Sequence, residues 1–145
     1  MRFFVGAVAV ALVAGCATYT ASPKVTSPVP SDRLLSFQVG HADSAIMIVT
    51  RDDGYMAGGG CYTAVLIDGV LAGRLGTGER ASFFLSPGRH VYGISGDPLG
   101  RGLCALQIGQ PQKESSSDFK AGETQRYRIS GSSSESWLDI RPTTM

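Results

Sequence analysis

The chain has 145 residues, 43% of them hydrophobic, with 13 basic against 12 acidic residues and a formal net charge of +1. That length suits one ordinary domain. A near-neutral chain without a Lys/Arg cluster lacks the electrostatic footprint of a nucleic-acid binder, so no nucleic acid is expected among its partners.

Arg2 precedes the apolar or small run Phe3–Val13, and Ala14 and Gly15 lead to Cys16. A basic residue, a greasy segment of about 11 residues and a small-residue boundary follow the order of an export signal. A spanning helix would need roughly 20 apolar residues. VAGC, Val13–Cys16, resembles the lipobox of bacterial lipoproteins. The resemblance implies that residues 1–15 are removed and that Cys16 is acylated, attaching the chain to a lipid bilayer; two or more acyl chains hold stably where one does not. Ala17, in place of the aspartate that retains many such proteins at the inner membrane, implies the outer membrane of a bacterial cell envelope, facing the periplasm.

Ala17–Arg33, ATYTASPKVTSPVPSDR, carries three prolines among Ser and Thr and no apolar periodicity. Residues 16–33 therefore read as the lipidated cysteine and an extended tether, at about 3.1 Å per residue. The domain proper is expected over residues 34–145. Cys61 and Cys104 are expected to form a disulfide, because an exported chain meets an oxidising compartment. Neither sits in a C-x-x-C motif or beside a histidine, which a redox pair would favour.

Beyond the leader, short runs rich in Val, Ile, Tyr, Phe and Leu alternate with Gly, Pro, Ser and Asp clusters, the signature of a many-stranded β domain. Strands are predicted over LLSFQV (34–39), AIMIVT (45–50), YTAVLI (62–67), VLAGRL (70–75), ASFFL (81–85), HVYGIS (90–95), CALQIG (104–109), SSDFK (116–120), QRYRIS (125–130) and SWLDI (136–140). The fold class is all-β, a small antiparallel sandwich or a partly closed barrel. Asp68-Gly69 between two apolar runs predicts a type I′ hairpin turn. In QRYRIS, Tyr127 and Ile129 should face inward and Arg126 and Arg128 outward; in SWLDI, Leu138 and Ile140 should face the core, with Trp137 and Asp139 opposite.

The segment VLIDGVLAGRLGTGERASFFLSPGRHVYGIS resembles a pattern of small bacterial envelope domains. It is similar to the lipoprotein family known as domain of unknown function 2846, and more distantly to PEGA-type sandwiches. The similarity covers Ile46 to Ser95 through Arg51, Gly54, Val65, Asp68, Gly69, Gly73, Pro87, Gly88 and His90. It implies a β-sandwich on a lipid anchor and brings no catalytic residues. Gly58–Cys61 and Cys104 depart from the pattern.

Only two histidines occur, His41 and His90, and no H-E-x-x-H or cysteine cluster accompanies them, so neither a metal nor a cofactor is expected. Many serines exist, but there is no G-x-S-x-G elbow. His90, after a Pro-Gly turn, is expected to pack at a strand start. Arg51, with Tyr55 and Met56 in the glycine-rich loop after it, forms a candidate recognition surface, because binding residues sit on loops held by rigid scaffolds and aromatic and Arg side chains favour interface centres. Arg126, Arg128 and Trp137 complete that candidate set. The expected function is a non-enzymatic binding or structural module for an envelope protein or cell-wall polymer. An inhibitor of lysozyme-like enzymes and a small envelope hydrolase are the alternatives.

Overall fold

In the strand Ala45–Arg51, alternate residues Ala45, Met47, Val49 and Arg51 are buried while those between them are half-buried, the period-2 burial of a strand with one face on a core. The computed structural model describes residues 26–53, 60–110, 112–131 and 138–145. Among these, the strands are β1 (Ser27–Pro28), β2 (Ala45–Arg51), β3 (Thr63–Ile67), β4 (Val70–Leu75), β5 (Glu79–Leu85), β6 (Gly88–Gly96), β7 (Lys113–Phe119), β8 (Thr124–Ser130) and β9 (Asp139–Pro142). They form two sheets, in the orders β1-β5-β2-β8-β9 and β4-β3-β6-β7.

The all-β sandwich expected from alternation is thus the fold. Most neighbours are antiparallel, but β2 lies parallel to β8 and the short β1 parallel to β5. The core joins the two inner faces: Met47, Val49, Phe83, Leu85 and Ile129 from one sheet, Val65, Ile67, Ala72, Leu75 and Ile94 from the other. Tyr92 and Tyr127 meet across it with ring centroids 4.5 Å apart. The buried Tyr127 hydroxyl donates to Gln125 at 2.6 Å, and burial first of all pushes its pKa up to about 12.

The Asp68-Gly69 turn has positive φ at both residues, 50° and 75°, as a type I′ hairpin requires. Tyr127 and Ile129 face inward as expected, Ile140 is buried and Leu138 packs against the core.

Three expectations need correction. Residues 34–39 do not form a strand: Phe37 has a φ of 60°, and this stretch serves both sheets at once. Leu35 and Ser36 donate to the Ala72 carbonyl in β4, while the Phe37 carbonyl accepts from Phe84 in β5. Residues 104–109 are not a strand either. A 3₁₀ segment runs over Gly102–Gln107, introduced by Gly102 at positive φ and tied by Cys104 to Cys61.

The tether boundary at residue 33 is also wrong. Ser27 and Val29 donate to Gly78 and Arg80, Val29 is 5% exposed, and Arg33 is buried in a paired contact with Glu79. Proline and serine content concealed this, because β1 and the turn after it are held by the edge of β5 and not by their own periodicity. Residues 27–40 form a strap that closes the side of the sandwich between β4 and β5.

Candidate functional site

At one end of the sandwich β2, β6 and β8 finish, β3, β7 and β9 begin, and the β4–β5 turn and the entry of β1 lie beside them. The scaffold beneath them is bound by charge. Arg51, the last inward residue of β2, donates from Nη1 to the Cys61 and Leu75 carbonyls, each at 2.7 Å. Burial lowers its pKa to about 10, which leaves it cationic at neutral pH. Asp52, 2% exposed, accepts from Arg128 Nε at 2.7 Å.

Glu79 receives both terminal nitrogens of Arg33, at 2.7 and 2.6 Å, and Asp97 receives Arg74 at 2.8 and 2.6 Å. The Tyr62 ring lies under both guanidinium groups, 4.2 Å from Arg33 and 5.1 Å from Arg74. Bidentate pairs of this kind fix geometry as well as charge. Burial acts to raise the pKa of Glu79 and of Asp97, but the arginine partners outweigh it and both fall below the ordinary value.

The outer face of the five-stranded sheet carries a second cluster. Thr50 in β2 is registered with Arg80 in β5 and with Arg128 in β8, and Arg128 with Arg141 in β9. One lateral row therefore reads Arg80, Thr50, Arg128, Arg141. Arg126 lies on the same face two residues along β8, opposite Ile48. Arg80, Arg126 and Arg141 are exposed; half-buried Ile48 shares the Arg126 row, and half-buried Ile46 and Phe84 form the next row beyond it. Asp139 accepts from Arg141 at 2.9 Å.

Of the residues singled out in the sequence, Arg126 and Arg128 share this face. Arg51 does not: it is 1% exposed and points into the sandwich, so it is no part of a binding surface. Cys61 and Cys104 are bonded. Cys16, Tyr55, Met56 and Trp137 lie outside the described residues. Arg80 and Arg141 escaped sequence reading because only the strand register places them beside Arg128.

At the opposite end of the sandwich is a constellation that sequence reading also missed. His90 Nδ1 is 2.6 Å from Asp68 Oδ2, and its Nε2 lies 2.8 Å from the Ser86 carbonyl and 3.4 Å from Ser86 Oγ. The residue types are those of a nucleophile, a base and an orienting acid. The geometry differs, since both ring nitrogens face acceptors, an arrangement that only the protonated ring satisfies in full. An imidazolium that donates to a carbonyl leaves Ser86 without a base; the same contacts hold two hairpin turns together. His41 and Asp43 are exposed at this end. Among the described residues, no three His, Cys, Asp or Glu side chains gather in metal-binding range.

No protein-family model matches the chain, and no curated protein matches it in sequence.

Proposed function

We propose that this chain is a bacterial envelope lipoprotein, anchored through acylated Cys16 on the periplasmic side of the outer membrane, and that it acts as a non-enzymatic binding module. Its partner carries carboxylates: an acidic segment of an envelope protein or the peptide carboxylates of the cell wall. The observation that carries this reading is the pair of exposed arginines, Arg80 and Arg126, on one sheet face beside Arg128 and Arg141, which Asp52 and Asp139 engage. A planar guanidinium presents a fork matched to carboxylate geometry, and Arg is enriched at interface centres. Ile48 beside Arg126, and Ile46 and Phe84 in the row beyond, add apolar contact area. The lipobox-like VAGC and the Cys61–Cys104 bond support the address, since disulfides persist in oxidising compartments. The resemblance to the family known as domain of unknown function 2846 agrees with it.

The test is co-purification of the tagged chain from crosslinked cell envelopes, with Arg80→Ala/Arg126→Ala and Cys16→Ser variants alongside. The double variant should lose the captured partner while folding normally, and capture by the unsubstituted chain should fall with salt. Cys16→Ser, exported behind a cleavable signal, should leave the membrane fraction. Equal capture by the double variant would sink the arginine-face reading; a Cys16→Ser chain that stays on the membrane would sink the anchor.

A further inference from the structure

We propose that the loop Asp97–Gln110 is a membrane-contact surface, with Leu103, Leu106 and Ile108 entering the interfacial layer of the bilayer that holds the anchor. This rests on the reading of Cys16 as the acylated residue. Chain direction and surface chemistry carry it independently of the arginine face.

Ser27 donates to Gly78 in the β4–β5 turn, so the chain enters the sandwich at the end where this loop projects. Entry point and loop are bridged by Arg33 on Glu79, by Tyr62 beneath Arg33 and Arg74, and by Arg74 on Asp97. At no more than about 3.6 Å per residue, Ser27 can stand at most roughly 40 Å from Cys16. The end of the domain to which the tether attaches is therefore the end that bears the loop.

The loop's surface suits that position. Leu103 is 83% and Leu106 73% exposed, with Leu99 at 55% and Ile108 at 49%. Single exposed leucines are ordinary, but four large apolar side chains within ten residues make a patch. The patch is held in place by the Cys61–Cys104 bond and by Gln107 seated over Gly96. Between Pro98 and Gln110 the loop has one basic residue, Arg101, and no acidic one. The carboxylate that opens the loop, Asp97, is engaged by Arg74. Apolar side chains beside cationic ones are the composition that binds an anionic bilayer interface.

The test uses the full chain purified from membranes and reconstituted in vesicles of phosphatidylcholine and phosphatidylglycerol at 3:1. In a Trp137→Phe background, Leu103→Trp and Leu106→Trp place single reporters in the loop, and Val91→Trp places one on β6 near the far end. Both loop reporters should be blue-shifted and quenched by acyl-brominated lipid several-fold more than the Val91→Trp reporter. Adding Leu99→Glu and Ile108→Glu should reduce that quenching at least about threefold, with the unfolding midpoint checked in parallel. Equal, weak quenching at all three sites overturns the proposal. Mass measurement of the same sample reads Cys16 acylation: an acylated chain with unquenched loop reporters refutes the loop contact alone, whereas an unacylated chain with quenched reporters refutes the anchor and leaves the loop contact standing.

Discussion

His90 and Asp68 join two hairpin turns through a 2.6 Å contact between Nδ1 and Oδ2, one residue from the β3–β4 turn and the other at the start of β6. The Val91 N–H donates to the same carboxylate at 2.9 Å, and His90 reaches back to the Ser86 carbonyl in the β5–β6 turn. Burial acts to lower the imidazole pKa, but Asp68 and Ser86 outweigh it and the folded value lies above the ordinary 6.5. Burial acts to raise the Asp68 pKa, but His90 and the Val91 N–H bring it below the ordinary 3.8.

The pair therefore stabilises the fold most between roughly pH 4 and 6.5. The histidine's share is complete below its unfolded pKa and is lost as pH rises through the raised folded value. The aspartate's share is lost as pH falls through its depressed one. In urea unfolding from pH 6 to pH 9, the unsubstituted chain should lose stability that a His90→Gln variant does not lose. The difference should be modest, because the Asp68 side chain is 43% exposed and solvent screens it. Parallel pH profiles would show that folding does not raise the imidazole pKa.

The inward face of a strand was legible wherever alternation had one clear phase. Tyr127 and Ile129 against Arg126 and Arg128 could be assigned without coordinates, and Asp68-Gly69 announced its own turn. Arg51 was not legible. In AIMIVTR the two phases, Ala-Met-Val-Arg and Ile-Ile-Thr, are similarly apolar, so periodicity does not say which one faces the core and takes the arginine with it. The strap over residues 27–40 was hidden for another reason: its hydrogen bonds go to β4 and β5, more than 30 residues away, and local pattern carries no trace of them. The arginine row depends on register between strands from distant parts of the chain. Composition gave the charges but not their neighbours.

Arg51 should be among the least replaceable polar residues. Its guanidinium supplies the Cys61 and Leu75 carbonyls from inside the sandwich, and removing it strands two acceptors in the core. Arg51→Ala should cost about 3 kcal/mol or more. Arg51→Lys should recover only part of this, because a single ammonium on a flexible stem does not reproduce the planar fork. Equilibrium denaturation of the two variants checks the order. An Arg51→Lys variant as stable as the parent would show that charge alone matters.

A chain cut at Leu34 should be markedly weaker than one cut at Thr26. The shorter chain lacks Val29, whose full burial stabilises by about 1.5–3 kcal/mol, and leaves Glu79 without Arg33. It also bares the β5 edge that β1 covers, and an uncovered edge invites pairing with another chain. A loss of at least about 3 kcal/mol is expected, together with a tendency to associate on light scattering. Equal stability and equal monomer content in the two chains would return residues 26–33 to the status of a tether.

Gly96 is the hinge between the sheet and the loop with the exposed leucines. A Cβ on Gly96 would collide with the Gln107 carbonyl oxygen and lie 2.6 Å from Gln107 Cβ, so Gly96→Ala must push the 3₁₀ segment off the sheet. The disulfide opposes that movement, because Cys104 in the same segment is bonded to Cys61 ahead of β3. Overpacking should therefore cost about 1–3 kcal/mol in the oxidised protein. With Cys61→Ser/Cys104→Ser the segment can retreat, and the same substitution should then cost distinctly less. The cysteine substitutions alone should cost about 3–4 kcal/mol, from the loop of 43 residues that the bond closes. The two changes meet in one short segment, so their effects should fall short of adding. Additive losses in the thermal or urea unfolding of all four proteins would mean that the loop yields at Gln107 independently of Cys104.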